Sequence, residues 1–256
     1  MKLFIRGLTG LGGLLALWQL ASLAGLFPEY YLPPPTVVLP RLVELLSQES
    51  FLRDVIATVL AWLIAIAIAT AIAVPTGLVL GSVPSVRTAT RAIVEFLRPI
   101  PSVALIPLAI VLLGATGPEA KISLAVYAAV WPILFNTIYA LDEIDPLLVD
   151  TARAFGAGRA RVMISVSLPN AAPFAFTGIR LASAVALIVV ISVEYIAGGS
   201  IGIGRFTLDA SSGAGRQDLV LAATLLAGLI GYLIDGAFVR AGSRLFRWST
   251  PEVTVP

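Results

Sequence analysis

Glu194 lies inside the apolar run LIVVISVEYIAGG, where a carboxylate is costly and must be paired, hydrogen-bonded or turned toward a solute path. It can serve there as a gate, or as a packing acid bonded to a neighbouring loop. Asn136, in the middle of another apolar run, can bond between helices or to a passing solute. Arg180 sits about ten residues into its run, within snorkelling reach of the interface. Asp235 lies near the end of a third run, with Arg240 and Arg244 as the simplest partners. Other chemistry is excluded by what is missing. The chain has no cysteine and no histidine, hence no thiolate, no disulfide framework and neither of the commonest metal ligands. No Gly-x4-Gly-Lys-Ser/Thr loop is present to cradle a nucleotide phosphate. No catalytic residue, cofactor or metal is expected.

The most polar interruption of the apolar runs is DTARAFGAGRARVMISVSLP, residues 150–169. Asp145-Pro146 ahead of it reads as a helix N-cap followed by proline at the first helical position. Leu147, Leu148, Thr151, Ala152 and Phe155 then recur at helical spacing, leaving Asp150 and Arg153 off the apolar face. Gly156 and Gly158 can take the left-handed conformation that ends such a helix. A second short helix over 159–166 is expected to break at Leu168-Pro169 before the next apolar run.

The elements that must carry these residues are membrane helices. Of 256 residues 58% are hydrophobic and 12% charged, about half the charge of a soluble domain. The net charge of +2 gives no reason to expect a nucleic-acid partner. Apolar runs at 8–27, 55–80, 100–113, 122–141, 171–197 and 219–239 predict an all-α polytopic protein with about six transmembrane helices in a lipid bilayer. The first run is long for the core of a cleavable leader, although ASLAG leaves cleavage open. Proline and glycine near residue 75 are expected to kink or loosen the second span. Residues 82–98, with Arg87, Arg91 and Arg98, read as a helix at the membrane surface. Residues 198–218, rich in glycine and serine, read as a re-entrant or closely packed loop. With both termini in the cytoplasm, twelve of the 17 lysines and arginines fall inside, in line with the positive-inside rule.

Acid at the first position of the 150–169 stretch, Ala at the third, Gly at the seventh, an aliphatic at the seventeenth and Leu-Pro at the end resemble the EAA loop of ABC-importer permeases. Those residues are Asp150, Ala152, Gly156, Val166, Leu168 and Pro169. The chain departs from the pattern in having Asp for the usual Glu and Thr151 for the second Ala. Further stretches resemble the branch that serves nitrate, sulfonate and taurine. They are Leu32-Pro33-Pro34-Pro35, Arg98-Pro99-Ile100-Pro101, Trp131-Pro132 with Asn136-Thr137, Thr177-Gly178-Ile179-Arg180, Glu194, Gly202-Ile203-Gly204 and Arg247-Trp248.

The resemblance implies a type I importer permease fold, one transmembrane domain over 1–256, and a cytoplasmic coupling loop at 142–170. In that loop Asp150, Ala152, Arg153, Gly156, Leu168 and Pro169 would face the motor. The implied partners are ABC ATPase subunits, an extracytoplasmic solute-binding protein, a second permease copy or homologue, and a small-molecule substrate. The implied place is the cytoplasmic (inner) membrane. An ion- or proton-coupled secondary carrier remains the alternative; it calls for paired intramembrane charges and related halves, and one central acid is visible. A membrane enzyme finds no residue set to work with.

Overall fold

The computed structural model describes residues 2–249 apart from 27, 29, 115, 116 and 214. Both chain ends and the last residue of the expected first span lie outside the described residues. Long apolar runs with no water to satisfy their backbone can only coil, and among the described residues there are helices and no strand. In order they are α1 (Lys2–Leu23), α2 (Pro35–Leu46), α3 (Glu49–Ser82), α4 (Pro84–Leu97), α5 (Ile106–Leu113) and α6 (Glu119–Asp142). Next come α7 (Pro146–Ala154), α8 (Arg159–Val162), α9 (Leu168–Ala197), α10 (Ile203–Gly213) and α11 (Gln217–Leu245). A 3-10 turn, Ser102–Leu105, leads into α5, and a π-helical stretch, Met163–Ser167, joins α8 to α9.

The core is a three-helix sandwich with α6 between α3 and α9. Small residues let the backbones close up: Ala65, Ala69 and Ala73 of α3, Ala125 and Ala129 of α6, and Ala182 and Ala186 of α9 are fully buried. Two glycines fix the contact. A methyl group on Gly77 would stand 2.7 Å from Thr137 Cβ, and one on Gly178 would stand 2.8 Å from Asn136 Cβ and 2.9 Å from the Pro132 carbonyl. A smaller core forms where α2, the start of α3, α10 and α11 meet around Val38, Phe51, Ile203 and Leu226.

Four helices are long and apolar enough to cross a membrane: α3, the continuous 159–197 unit, α6 and α11. The 84–97 and 102–113 helices make a fifth crossing if taken together, bent by 77°. Among the described residues α1 adds the shorter apolar stretch Thr9–Leu23 to these. Helix α1 stops early where Gly25 takes φ +66° and Leu26 N–H bonds back to Ala21 O.

Two other expectations change. Helix α3 stays helical through Pro75, and the 198–218 segment is largely the helix α10.

Candidate functional site

The polar loop folds as its local signals dictate. Asp145 caps α7, its carboxylate accepting from Leu147 N–H at 2.9 Å. The helix closes on Gly156, at φ +82°: Ala157 N–H bonds to Ala152 O and Gly156 N–H to Arg153 O, the paired bonds of a Schellman end. Gly158, at φ −71°, is instead the extended N-cap of α8, so only one of the two glycines needs the left-handed region. Asp150 and Arg153 stay on the solvent side, 3.7 Å apart.

No break occurs at Leu168-Pro169. The π turn ahead of it, with Leu168 N–H on Met163 O, gives the proline ring room, and Asn170 Nδ2 donates to Val166 O at 2.7 Å. Helix α8, the π stretch and the long α9 therefore form one unit, Arg159–Ala197, with no gap. At the tip Phe155 is 86% exposed and Leu147 69%, an apolar face with nothing on it.

At the other end of α9, Glu194 is buried at 2% exposure and fully bonded. It takes Lys121 Nζ at 2.6 Å, Thr58 Oγ1 at 2.9 Å and Gly204 N–H at 3.1 Å. Lys121 also donates to Ile201 O, while Asp54 and Thr58 accept from the N–H groups of Gly202 and Ile203. Helix α10 is thus capped by side chains of α3 and α9. A methyl group on Gly202 or Gly204 would overlap the Glu194 carboxylate or the Ile191 carbonyl, which is why glycine stands at both.

Asn136 bonds neither to another helix nor into open space: its Nδ2 donates to Pro132 O of its own helix at 2.8 Å. Its side chain is half-buried, on the wall of a cavity beside Arg98, Trp131 and Phe135. Asp235 pairs not with Arg240 or Arg244 but with Arg180. The two form a bidentate pair between α9 and α11 at 2.6 and 2.9 Å.

Comparison with known proteins decides what this arrangement belongs to. Residues 73–247 match the family described as binding-protein-dependent transport system inner membrane component. The chain belongs to that family. It is a permease subunit of an ABC importer of the nitrate, sulfonate and taurine branch. Among its relatives, the taurine transport system permease protein TauC of Escherichia coli (strain K12) is 28% identical, covering 92% of this chain and 86% of that one. The bicarbonate transport system permease protein CmpB of Synechocystis sp. (strain ATCC 27184 / PCC 6803 / Kazusa) is 31% identical over 88% and 83%.

In fold the permease is similar to a chain of the inward-facing MetNI methionine ABC transporter, with TM-score 0.67 and 22% identity over 75% of this chain and 94% of that one. It is also similar to a bacterial ABC transporter that imports alginate, with TM-score 0.65 and 16% identity over 95% and 93%. Nothing in these comparisons favours an ion-coupled carrier.

Sequence reasoning about the permease missed Lys121 as the partner of Glu194, and Thr58 and Asp54 as caps of α10. One signal was available: Lys121 is a lone cation two residues into α6, at the helix end that α10 faces. The paired intramembrane charges expected of a secondary carrier do exist, at Lys121–Glu194 and Arg180–Asp235. In this permease they join helices.

Proposed function

We propose that the permease forms the solute path of an ATP-driven importer as a single transmembrane domain, two copies or one copy with a homologue enclosing the path. Separate ABC ATPase subunits grip the cytoplasmic loop at 142–170, and an extracytoplasmic binding protein delivers the solute to the opposite face. Both termini then lie in the cytoplasm. Asp150, Ala152, Arg153 and Gly156 shape the gripped end, and Leu168 and Pro169 continue it into α9. The solute is a small anion-bearing compound of the nitrate, sulfonate or taurine kind. The relatives named for taurine and bicarbonate support this class.

The observation that carries the coupling reading is the union of an exposed apolar handle, Leu147 to Phe155, with a gapless helix running from Arg159 to Ala197. An exposed apolar face beside a membrane needs a partner, and a rigid connection turns that partner's motion into helix displacement. Asn136 borders the path on α6. Glu194, with all its bonding capacity engaged, locks the far gate shut through α10 and is not a solute ligand.

Replacing Gly156 by tryptophan tests the reading. Its left-handed backbone has open space around it, so the strain falls on the loop alone. Loss of ATPase-subunit capture in a pull-down, with loss of uptake, is expected; intact capture and uptake would refute it.

A further inference from the structure

Some charges on the described helices are matched in pairs between helices. Lys121 is taken by Glu194, Arg180 by Asp235 and Arg87 by Asp142. Arg98 stands at the 77° bend between α4 and the 102–113 segment. Among the described residues it has no ion-pair partner, and no group accepts from its guanidinium. It lies instead over the ring of Phe135, 4.2 Å from the centroid, a contact that fixes its plane and uses none of its N–H donors.

That guanidinium lines a cavity of about 450 Å³ with Tyr127, Trp131, Phe135 and Asn136, and no acid stands in the wall. Trp131 Nε1 is buried beside it without a partner, a further donor with nothing to receive it. A second cavity of about 530 Å³ shares Arg98 and Phe135 and continues past Arg91 and Arg87. Its one acid, Glu95, is already held by Arg91 at 2.7 Å. Arg87 and Arg91 on α4 are held by Asp142 and Glu95, so Arg98, at the C-cap of α4, is the cation of the two cavities with no ion pair among the described residues. The crevice beside Lys121 and Glu194 contrasts with it, since those two charges neutralise each other.

We propose that Arg98 selects the charge of the transported solute. Its planar fork receives one oxyanion group, sulfonate, carboxylate or bicarbonate, in the aromatic cavity and releases it into the second cavity, which shares Arg98 and Phe135. This rests on the reading of the chain as the solute path.

The full chain in lipid nanodiscs carries the first test, with iodide as anionic quencher and acrylamide as neutral quencher of tryptophan fluorescence. The Trp131 share is the quenching lost in Trp131→Phe. Arg98→Gln removes the iodide part of that share and leaves the acrylamide part, which also reports an intact fold; Arg98→Lys keeps an intermediate amount. Equal iodide quenching in wild type and Arg98→Gln overturns the proposal. In the complete transporter in proteoliposomes, Arg98→Gln slows uptake of taurine or bicarbonate about tenfold or more, while ATP hydrolysis stimulated by the binding protein persists. Uptake at the wild-type rate overturns the proposal, as does a wild type that carries only neutral or cationic solutes. Failure of the coupling reading looks different: wild-type uptake then proceeds without ATP.

Discussion

Replacing Glu194 by glutamine keeps the shape of the side chain and removes its charge. Lys121, 7% exposed, is then left as a buried ammonium with only Ile201 O at 3.1 Å. For charge centres about 4 Å apart at an effective dielectric near 20, the lost attraction is about 4 kcal/mol. Breaking a buried pair by removing one partner costs about 3–5 kcal/mol. The amide oxygen of glutamine still accepts from Thr58 or Gly204, which places the expected loss near the lower figure, about 3 kcal/mol. That corresponds to a fall in Tm of roughly 6–12 °C. The assay is thermal unfolding of the purified permease in detergent, followed by fluorescence-detected gel filtration. Lys121→Met in the same chain should restore most of the loss, since the two variants act on one interaction. A Glu194→Gln protein as heat-resistant as wild type but unable to transport would refute the reasoning and make Glu194 a working group of the path.

Gly204→Ala should destabilise by about 2 kcal/mol or more, because the added carbon meets Glu194 Cβ at 2.7 Å and Tyr195 N at 2.8 Å. Gly228→Ala, with nothing within 4 Å, should be neutral or stabilise by up to about 1 kcal/mol; both are read by the same unfolding assay. Because the chain has no cysteine, Phe155→Cys makes a single-cysteine probe, and an impermeant maleimide should label it in inside-out vesicles and not in intact cells. Phe155→Asp should reduce capture of the ATPase subunit about tenfold, measured by pull-down, with the Tm unchanged. Arg180→Asp should lower stability and Asp235→Arg in the same chain should recover it, since the bidentate pair joins α9 to α11.

The loop from Asp145 to Pro169 was readable because its determinants are local. A cap acts over two residues and a Schellman end over five, so the sequence window contains both partners. Helix α10 was hidden for the opposite reason. Its first N–H groups are satisfied by Asp54, Thr58 and Glu194, one of them 148 residues away, while its own composition of glycine and serine argues for a loop. The prolines misled in a third way. A kink or loosening is expected near Pro75 and a break at Pro169, yet in an apolar surrounding a free backbone carbonyl is costlier than a strained turn. Side chains beside the prolines also bond back along the same helices: Thr76 to Ile72 O at 2.6 Å, Thr177 to Pro173 O at 3.0 Å and Asn136 to Pro132 O. The end of α1 was hidden too, because hydropathy does not register Gly25, whose positive φ follows the helix while the run is still apolar. Asn136 and Arg180 were recognised as unusual residues, but their partners depend on which helices lie side by side.

The π turn at Met163–Ser167 leaves no hinge between the loop and α9. From Leu168 to Glu194 that helix is about 40 Å long at 1.5 Å per residue. Tilting such a rod by about 5° at one end sweeps the other through about 3.5 Å. A sweep of that size exceeds the 2.6 Å separating Lys121 from Glu194. Angular play too slight to unseat anything near the handle is therefore enough to part the clasp at the distant end, and geometry alone does the amplifying.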